Sequence, residues 1–175
     1  MNSNTEKNND ATTCEYTENL NILRQVDFFS ALPLEAAKVL AYLCHRIHFK
    51  AGDFLFKQDD EDEQAYYIIS GSARLFKIIA DREQVVRDYE EGEFLGRLAL
   101  MGAMRRLFSL RARTDLTCLT ISREKFTKAL ERFPDVMPKL VKVIVENVYG
   151  WEKRFMAYRA VDCSDCFKEL GVSLV

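Results

Sequence analysis

The period of the hydrophobic pattern changes twice along this chain, and no other sequence feature limits its fold as sharply. From Leu20 to about Cys44 apolar residues recur at helical spacings: first Leu20, Leu23 and Val26, then, behind Pro33, Leu34, Ala37, Leu40, Ala41 and Cys44. At Phe49 the period becomes two. Short segments rich in Tyr, Phe, Ile and Val follow at 54–56, 65–69, 73–79, 84–89, 107–112 and 116–121. The breaks between them, such as Ala51-Gly52-Asp53, Ser70-Gly71-Ser72 and Glu91-Gly92-Glu93, have turn chemistry. After Ser122 the helical period returns through 123–133 and, past Pro134 and Pro138, in a long stretch to about Arg159. The pattern predicts a mainly β fold with flanking helices: an antiparallel jelly roll preceded by N-terminal helices and followed by a long C-terminal helix.

This divides the chain into four parts. Residues 1–17, poor in apolar side chains, read as a flexible N-terminal tail; 18–135 form the β-roll domain; 136–160 form the long helix; 161–175 form a C-terminal tail. The chain has 175 residues, 48% hydrophobic and 30% charged, enough to bury a core of its own. No apolar run approaches the roughly 18 residues of a membrane span, and the N-terminus lacks the basic start and apolar stretch of an export signal, so a cytoplasmic location is expected. Lys+Arg number 25 against 27 Asp+Glu, so any attraction for anions must be local. The five cysteines, an odd number, argue against a disulfide framework.

The segment 91–112 carries the chemistry. It places Gly96, a short apolar helical turn, a loop and then an arginine ahead of a new strand. Residues 97–113 contain five arginines, at 97, 105, 106, 111 and 113, and no acid. Unpaired N–H groups at a helix start and the planar fork of Arg both suit phosphate oxygens, so an anion is expected near Arg106 and the N–H groups of Leu98 and Ala99. Arg97 has a bland reading as well, solvated or paired with Glu93 or with an acid elsewhere. The acidic run Asp59-Asp60-Glu61-Asp62-Glu63 reads as a solvated, self-repelling hairpin tip and not as a hard-metal site. Cys44, His45 and His48 cluster near a helix end without a fourth zinc ligand. Cys163 and Cys166 have ligand spacing but make half a site, which a two-fold dimer could complete. No metal and no cofactor is expected. No nucleophile elbow, phosphate loop or metal constellation with a companion base is present, so the chain reads as no enzyme.

The same residues resemble the cyclic nucleotide-binding domain family, the sensor half of catabolite-activator-like regulators. The family's phosphate-binding cassette reads Gly-Glu-Leu-Ala-Leu, a loop, then Arg and two small residues. Here Gly96, Leu98, Ala99 and Leu100 match, and Arg106 falls ten residues after Gly96. Lys50-Ala51-Gly52-Asp53, Tyr66 through Ser72, Arg111-Ala112, Ile121-Ser122 and Phe133-Pro134-Asp135 fit in order, so the resemblance spans 20–160. It implies a cassette of Gly96, Arg97, Leu98, Ala99, Arg106, Leu107 and Phe108, with Arg106 on the phosphate and Trp151 as a lid over the purine.

The departures make the cassette degenerate. Where the family has a Glu that accepts the ribose 2′-hydroxyl, this chain has Arg97, which cannot accept a hydrogen bond. Losing such an acceptor costs about 1 to 3 kcal/mol. The two small residues are replaced by Leu107 and Phe108, bulky enough to fill the ligand's space. A pocket occupied by Phe108 and Trp151 is expected in place of a ligand. Val141, Ile144, Val148, Trp151, Phe155 and Tyr158 form a heptad seam on the long helix, which predicts a homodimer. Transcriptional relatives carry a helix-turn-helix beyond that helix, and the 15 residues after Ala160 leave no room for one, so direct DNA binding is not expected. Two readings follow. One is a non-enzymatic, stand-alone regulatory domain with weakened or lost cyclic nucleotide binding, acting through dimerisation or an unknown protein partner. The other is a working sensor of cyclic AMP, cyclic GMP or another small anion at Arg106.

Overall fold

The computed structural model describes the backbone of residues 3–159 and the side chains of 14–150, 152 and 153. Two helices, α1 (Ser3–Gln25) and α2 (Leu34–Leu43), flank a single turn at Asp27–Phe29. Eight strands follow: β1 (His45–Phe49), β2 (Phe54–Phe56), β3 (Gln64–Ser70), β4 (Ala73–Ile79), β5 (Arg82–Tyr89), β6 (Phe94–Leu95), then, after the short α3 (Arg97–Met101), β7 (Ser109–Ala112) and β8 (Leu116–Ser122). Helices α4 (Arg123–Leu130) and α5 (Val136–Arg159) close the order.

The strands form two four-stranded antiparallel sheets, β1-β8-β3-β6 and β2-β7-β4-β5. This is the predicted jelly roll with its flanking helices. The side-chain alternation of a strand explains why β3 and β8 lie centrally. Tyr66, Ile68, Leu116 and Cys118 point into the roll, where they meet Phe56, Leu95 and Leu110. Ala65, Leu119 and Ile121 point the other way, against Phe28, Phe29, Leu40, Phe126 and Leu140 of the helical layer. Phe28 sits at the centre of an aromatic cluster, stacked at 5.9 Å on Phe94 and 6.0 Å on Phe126. The capped start of α4 follows from Ser122, whose hydroxyl accepts from the Lys125 N–H.

Three expectations are corrected here. The 1–17 segment is helical from Ser3 onward, as the first part of α1. Its C-terminal half is anchored, with Tyr16, Leu20 and Leu23 on the helical core and Glu18 and Asn19 holding Arg46 at 2.7 and 3.0 Å. A helix nucleated by packing propagates at little further expense, which a scan for apolar residues does not register. Cys44 caps the end of α2 as expected, but His45 and His48 belong to the next element, β1, paired with β8 from His45↔Thr120 to Phe49↔Leu116. His45 faces Lys125 and His48 faces Thr117 at 2.9 Å, and no group of three metal-ligating side chains occurs among the described residues. The heptad seam is divided: Ile144 packs on the core beside Leu140, whereas Val141 and Val148 are exposed with Met137 and Val145. The side chains of Trp151, Phe155 and Tyr158, and all of Cys163 and Cys166, lie outside the described residues.

Candidate functional site

The cassette begins where β6 ends. Phe94 and Leu95 pair with Tyr67 and Tyr66 of β3, and the chain must then turn at once into α3. Gly96 makes that turn at φ +88°, and a Cβ there would lie 2.7 Å from the Gln64 carbonyl and 2.9 Å from the Ala65 Cα. Both the backbone conformation and the close approach to β3 therefore require glycine. Ala99 and Leu100 are buried and fix α3 against the roll, while Leu98 projects outward. The predicted turn, short helix and loop are present. The Ala99 N–H is already used, donating to the Gly96 carbonyl at 3.0 Å, so it does not serve as an anion donor.

The far end of the cassette is tied to the acidic run. Arg106 exchanges backbone hydrogen bonds with that run, its N–H to the Asp60 carbonyl at 2.9 Å and its carbonyl from the Asp59 N–H at 2.8 Å. Its guanidinium is 9% exposed and donates to the Asp62 carboxylate, itself 12% exposed, through Nε at 3.1 Å and Nη2 at 2.8 Å. Nη2 also reaches the Gln64 carbonyl, and the guanidinium lies 4.2 Å from the centre of the Phe56 ring. The Tyr66 hydroxyl donates to the same Asp62 oxygen at 3.1 Å. Burial, together with that neighbouring carboxylate, holds the Tyr66 phenol neutral well above its usual range.

Four acids of the run are exposed, as expected, but the run is paired and not merely self-repelling, and Asp62 is nearly buried. Asp60 accepts the Lys57 N–H at 2.7 Å, Glu61 pairs with Arg105 at 3.1 Å, Asp62 with Arg106, and Glu63 with Arg123. The arginines are neutralised in the same way: Arg111 pairs with Glu83 at 2.8 Å, and Arg113 with Asp88 at 3.0 Å. Of the five arginines in 97–113, Arg97 makes no ion pair among the described residues. The expected Arg97–Glu93 pair is not formed, because Glu93 pairs with Arg87 instead. Asp62 and Glu63, the partners of Arg106 and Arg123, do not stand out in the sequence as ion-pair partners. The available signal was the match of a five-acid run to the nearby pair Arg105-Arg106.

Between this cassette and the β4–β5 hairpin lies a cavity of about 520 Å³. Arg106 forms one wall with Phe56, Arg97 and Leu98 another, and Leu75, Arg87 and Tyr89 the hairpin side. Burial is the main influence raising the Tyr89 phenol above its ordinary range, and the Arg87 and Arg97 cations oppose it. Leu107 and Phe108 both line this space without closing it among the described residues: Leu107 is 65% exposed at its rim and Phe108 is half-buried in its wall. Of the expected cassette, the structure brings Gly96, Arg97, Leu98, Ala99, Arg106, Leu107 and Phe108 to one cavity.

A jelly roll carrying a cavity over a glycine-started helical turn and a buried arginine defines a small-ligand regulatory domain. The comparisons agree. The profile of the cyclic nucleotide-binding domain matches residues 46–133, half of the chain, and the chain belongs to that family. A cAMP-dependent protein kinase regulatory subunit of Emericella nidulans is 32% identical over 116 residues, 66% of this chain but 27% of that protein. This chain thus spans about a quarter of that curated relative's length. A cyclic nucleotide-binding-like protein of Brucella abortus superimposes with TM-score 0.61 at 29% identity, covering 65% of this chain and 98% of that one. The regulatory domain of Toxoplasma gondii PKA with cAMP superimposes with TM-score 0.66 at 21% identity, over 78% of this chain and 52% of that one, a likeness of fold. No helix among the described residues is long and apolar enough to cross a membrane.

Proposed function

We propose that this chain is a non-enzymatic regulatory domain in which cyclic nucleotide binding is weakened or lost, and which acts in the cytoplasm through dimerisation or a protein partner. The observation that carries this is Arg97, at the position where the ribose acceptor is expected, on the wall of the cavity. The carboxylate nearest to that role, Glu93, has both oxygens engaged, one by Arg87 and the other by the Glu90 N–H at 2.7 Å. A ribose hydroxyl placed there meets the Arg97 cation and, at Glu93, oxygens that each already accept one hydrogen bond. Isothermal titration with cyclic AMP and cyclic GMP tests the reading. Binding in the wild-type chain is expected at least tenfold weaker than in Arg97→Glu, and sub-micromolar wild-type affinity for either nucleotide would overturn it.

For dimerisation the support is the exposed stripe Met137, Val141, Val145 and Val148 on α5, with Val141 46% and Val145 58% exposed. Val141→Lys with Val145→Lys is expected to yield a monomer in sedimentation at about 50 µM, the wild type a dimer. A wild-type monomer at that concentration would count against this output.

A second reading is favoured by one observation of its own. The cavity is open, about 520 Å³ and within the usual range for small-ligand sites, with Arg106 preserved at its wall. A domain that had only kept its fold has no need of such a space, so the chain also qualifies as a sensor of a small anion.

A further inference from the structure

We infer that the cavity takes a small anion with an apolar body and no sugar, an aryl or alkyl carboxylate, sulfonate or phosphate, anchored by Arg97. This rests on the second reading above, that the cavity receives a ligand. Three observations carry it.

The first is the charge arrangement. Three cations line the cavity, Arg87, Arg97 and Arg106. Arg87 is paired with Glu93 and Arg106 with Asp62, so both are balanced before any ligand arrives. Arg97 is half-buried, makes no ion pair among the described residues, and acts electrostatically on Tyr89 across the cavity. Asp27 borders a neighbouring pocket that Arg97 also touches, without pairing with it. A partly desolvated cation without a counterion is stabilised by an incoming anion more than either paired one is.

The second is the supply of acceptors. Glu93 is the single carboxylate among the described lining residues, and each of its oxygens already accepts one hydrogen bond, from Arg87 and from the Glu90 N–H, so only their second lone pairs remain. A ligand rich in hydroxyl groups would bury donors that find few acceptors, which is unfavourable. The third is the character of the remaining wall. Phe56, Leu75, Phe94, Leu98, Met104 and Phe108 supply aromatic and aliphatic surface around the charged point. Leu98 is 47% exposed and Met104 36%, apolar surface that a ligand body would cover.

The test uses two fluorescent probes of similar shape that differ in charge: 8-anilinonaphthalene-1-sulfonate, an anion, and N-phenyl-1-naphthylamine, which is neutral. Each is titrated into the full chain, Arg97→Gln, Phe108→Ala and Arg113→Gln. The sulfonate is expected to saturate at one site per chain. Arg97→Gln should weaken it at least fivefold and shift the neutral probe less than twofold. Phe108→Ala should weaken both, placing them in the cavity, and Arg113→Gln on the outer face should change neither. Saturable binding of the sulfonate that Arg97→Gln leaves unchanged would overturn the anchoring role while the cavity remains a ligand site. Sub-micromolar cyclic AMP binding by the wild type would overturn the sugar-free ligand class and leave the sensor reading standing. Failure of both probes to saturate would remove the ligand-site reading itself, and this inference with it.

Discussion

The two ends of the cassette treat the same side chain in opposite ways. At one end Arg106 is buried, donates to Asp62 and the Gln64 carbonyl, and rests on the Phe56 ring. At the other end, nine residues earlier, Arg97 stands at the first position of α3 with no ion pair among the described residues. Desolvating a guanidinium is unfavourable unless a counter-charge and hydrogen bonds replace water. The Arg106 end meets that condition within the protein, through strands 42 to 44 residues away in sequence. The Arg97 end leaves it to solvent or to a ligand. One arginine is therefore a structural element that also borders the cavity, and the other lines the same cavity with no ion pair among the described residues.

The largest expected effect breaks the Arg106 end. Asp62→Ala leaves a nearly buried guanidinium unpaired and should lower stability by about 4 kcal/mol, seen as a fall in Tm of about 10 °C. A change under about 1 kcal/mol would mean that Arg106 relaxes to solvent, and the contrast between the ends would disappear.

Cys118 gives an independent reading of the same end, since its thiol lies inside the roll with Phe56 and Tyr66. Burial pushes it from 9.0 up to about 12. The neutral thiol is the form favoured on folding, so its contribution is complete below about pH 9 and is lost as pH rises toward 12. Iodoacetamide at pH 8 should label exposed Cys14 and spare Cys118 in the wild type, and label Cys118 up to about a thousandfold faster in Asp62→Ala, the factor that a loss of about 4 kcal/mol gives by mass action on opening. Equal Cys118 rates in the two proteins would sink the coupling.

Gly96→Ala probes the joint between the ends. Positive φ and a Cβ pressed on the Gln64 carbonyl should together remove about 2 to 3 kcal/mol. Chemical denaturation measures it, and a neutral outcome would mean that β3 yields readily at this contact. The smallest effect belongs to Arg97→Gln and to Arg105→Gln, whose pair with Glu61 is exposed on both sides at 68% and 74%. Each should shift stability by less than about 0.5 kcal/mol, and a larger loss at Arg97 would assign it a structural role.

The sequence by itself determined the architecture. A period of two between Phe49 and Ser122, bounded by helical periods, is enough to specify strands between helices, because one face of each element must leave water. It also located the cassette, since Gly96, Leu98, Ala99, Leu100 and Arg106 are spaced by the local geometry of a turn, a short helix and a loop. What the pattern left out was non-local. That Asp62 holds Arg106, that Glu93 turns to Arg87 and away from Arg97, and that Leu107 is left exposed at the cavity rim all depend on which segments lie side by side. Charges choose partners by distance in space, and at a few ångströms the choice between two carboxylates is settled by the packing of the sheets that carry them. Only the tertiary structure could leave Arg97 as the cassette arginine without a counter-charge among the described residues, although its position on the chain was plain from the start.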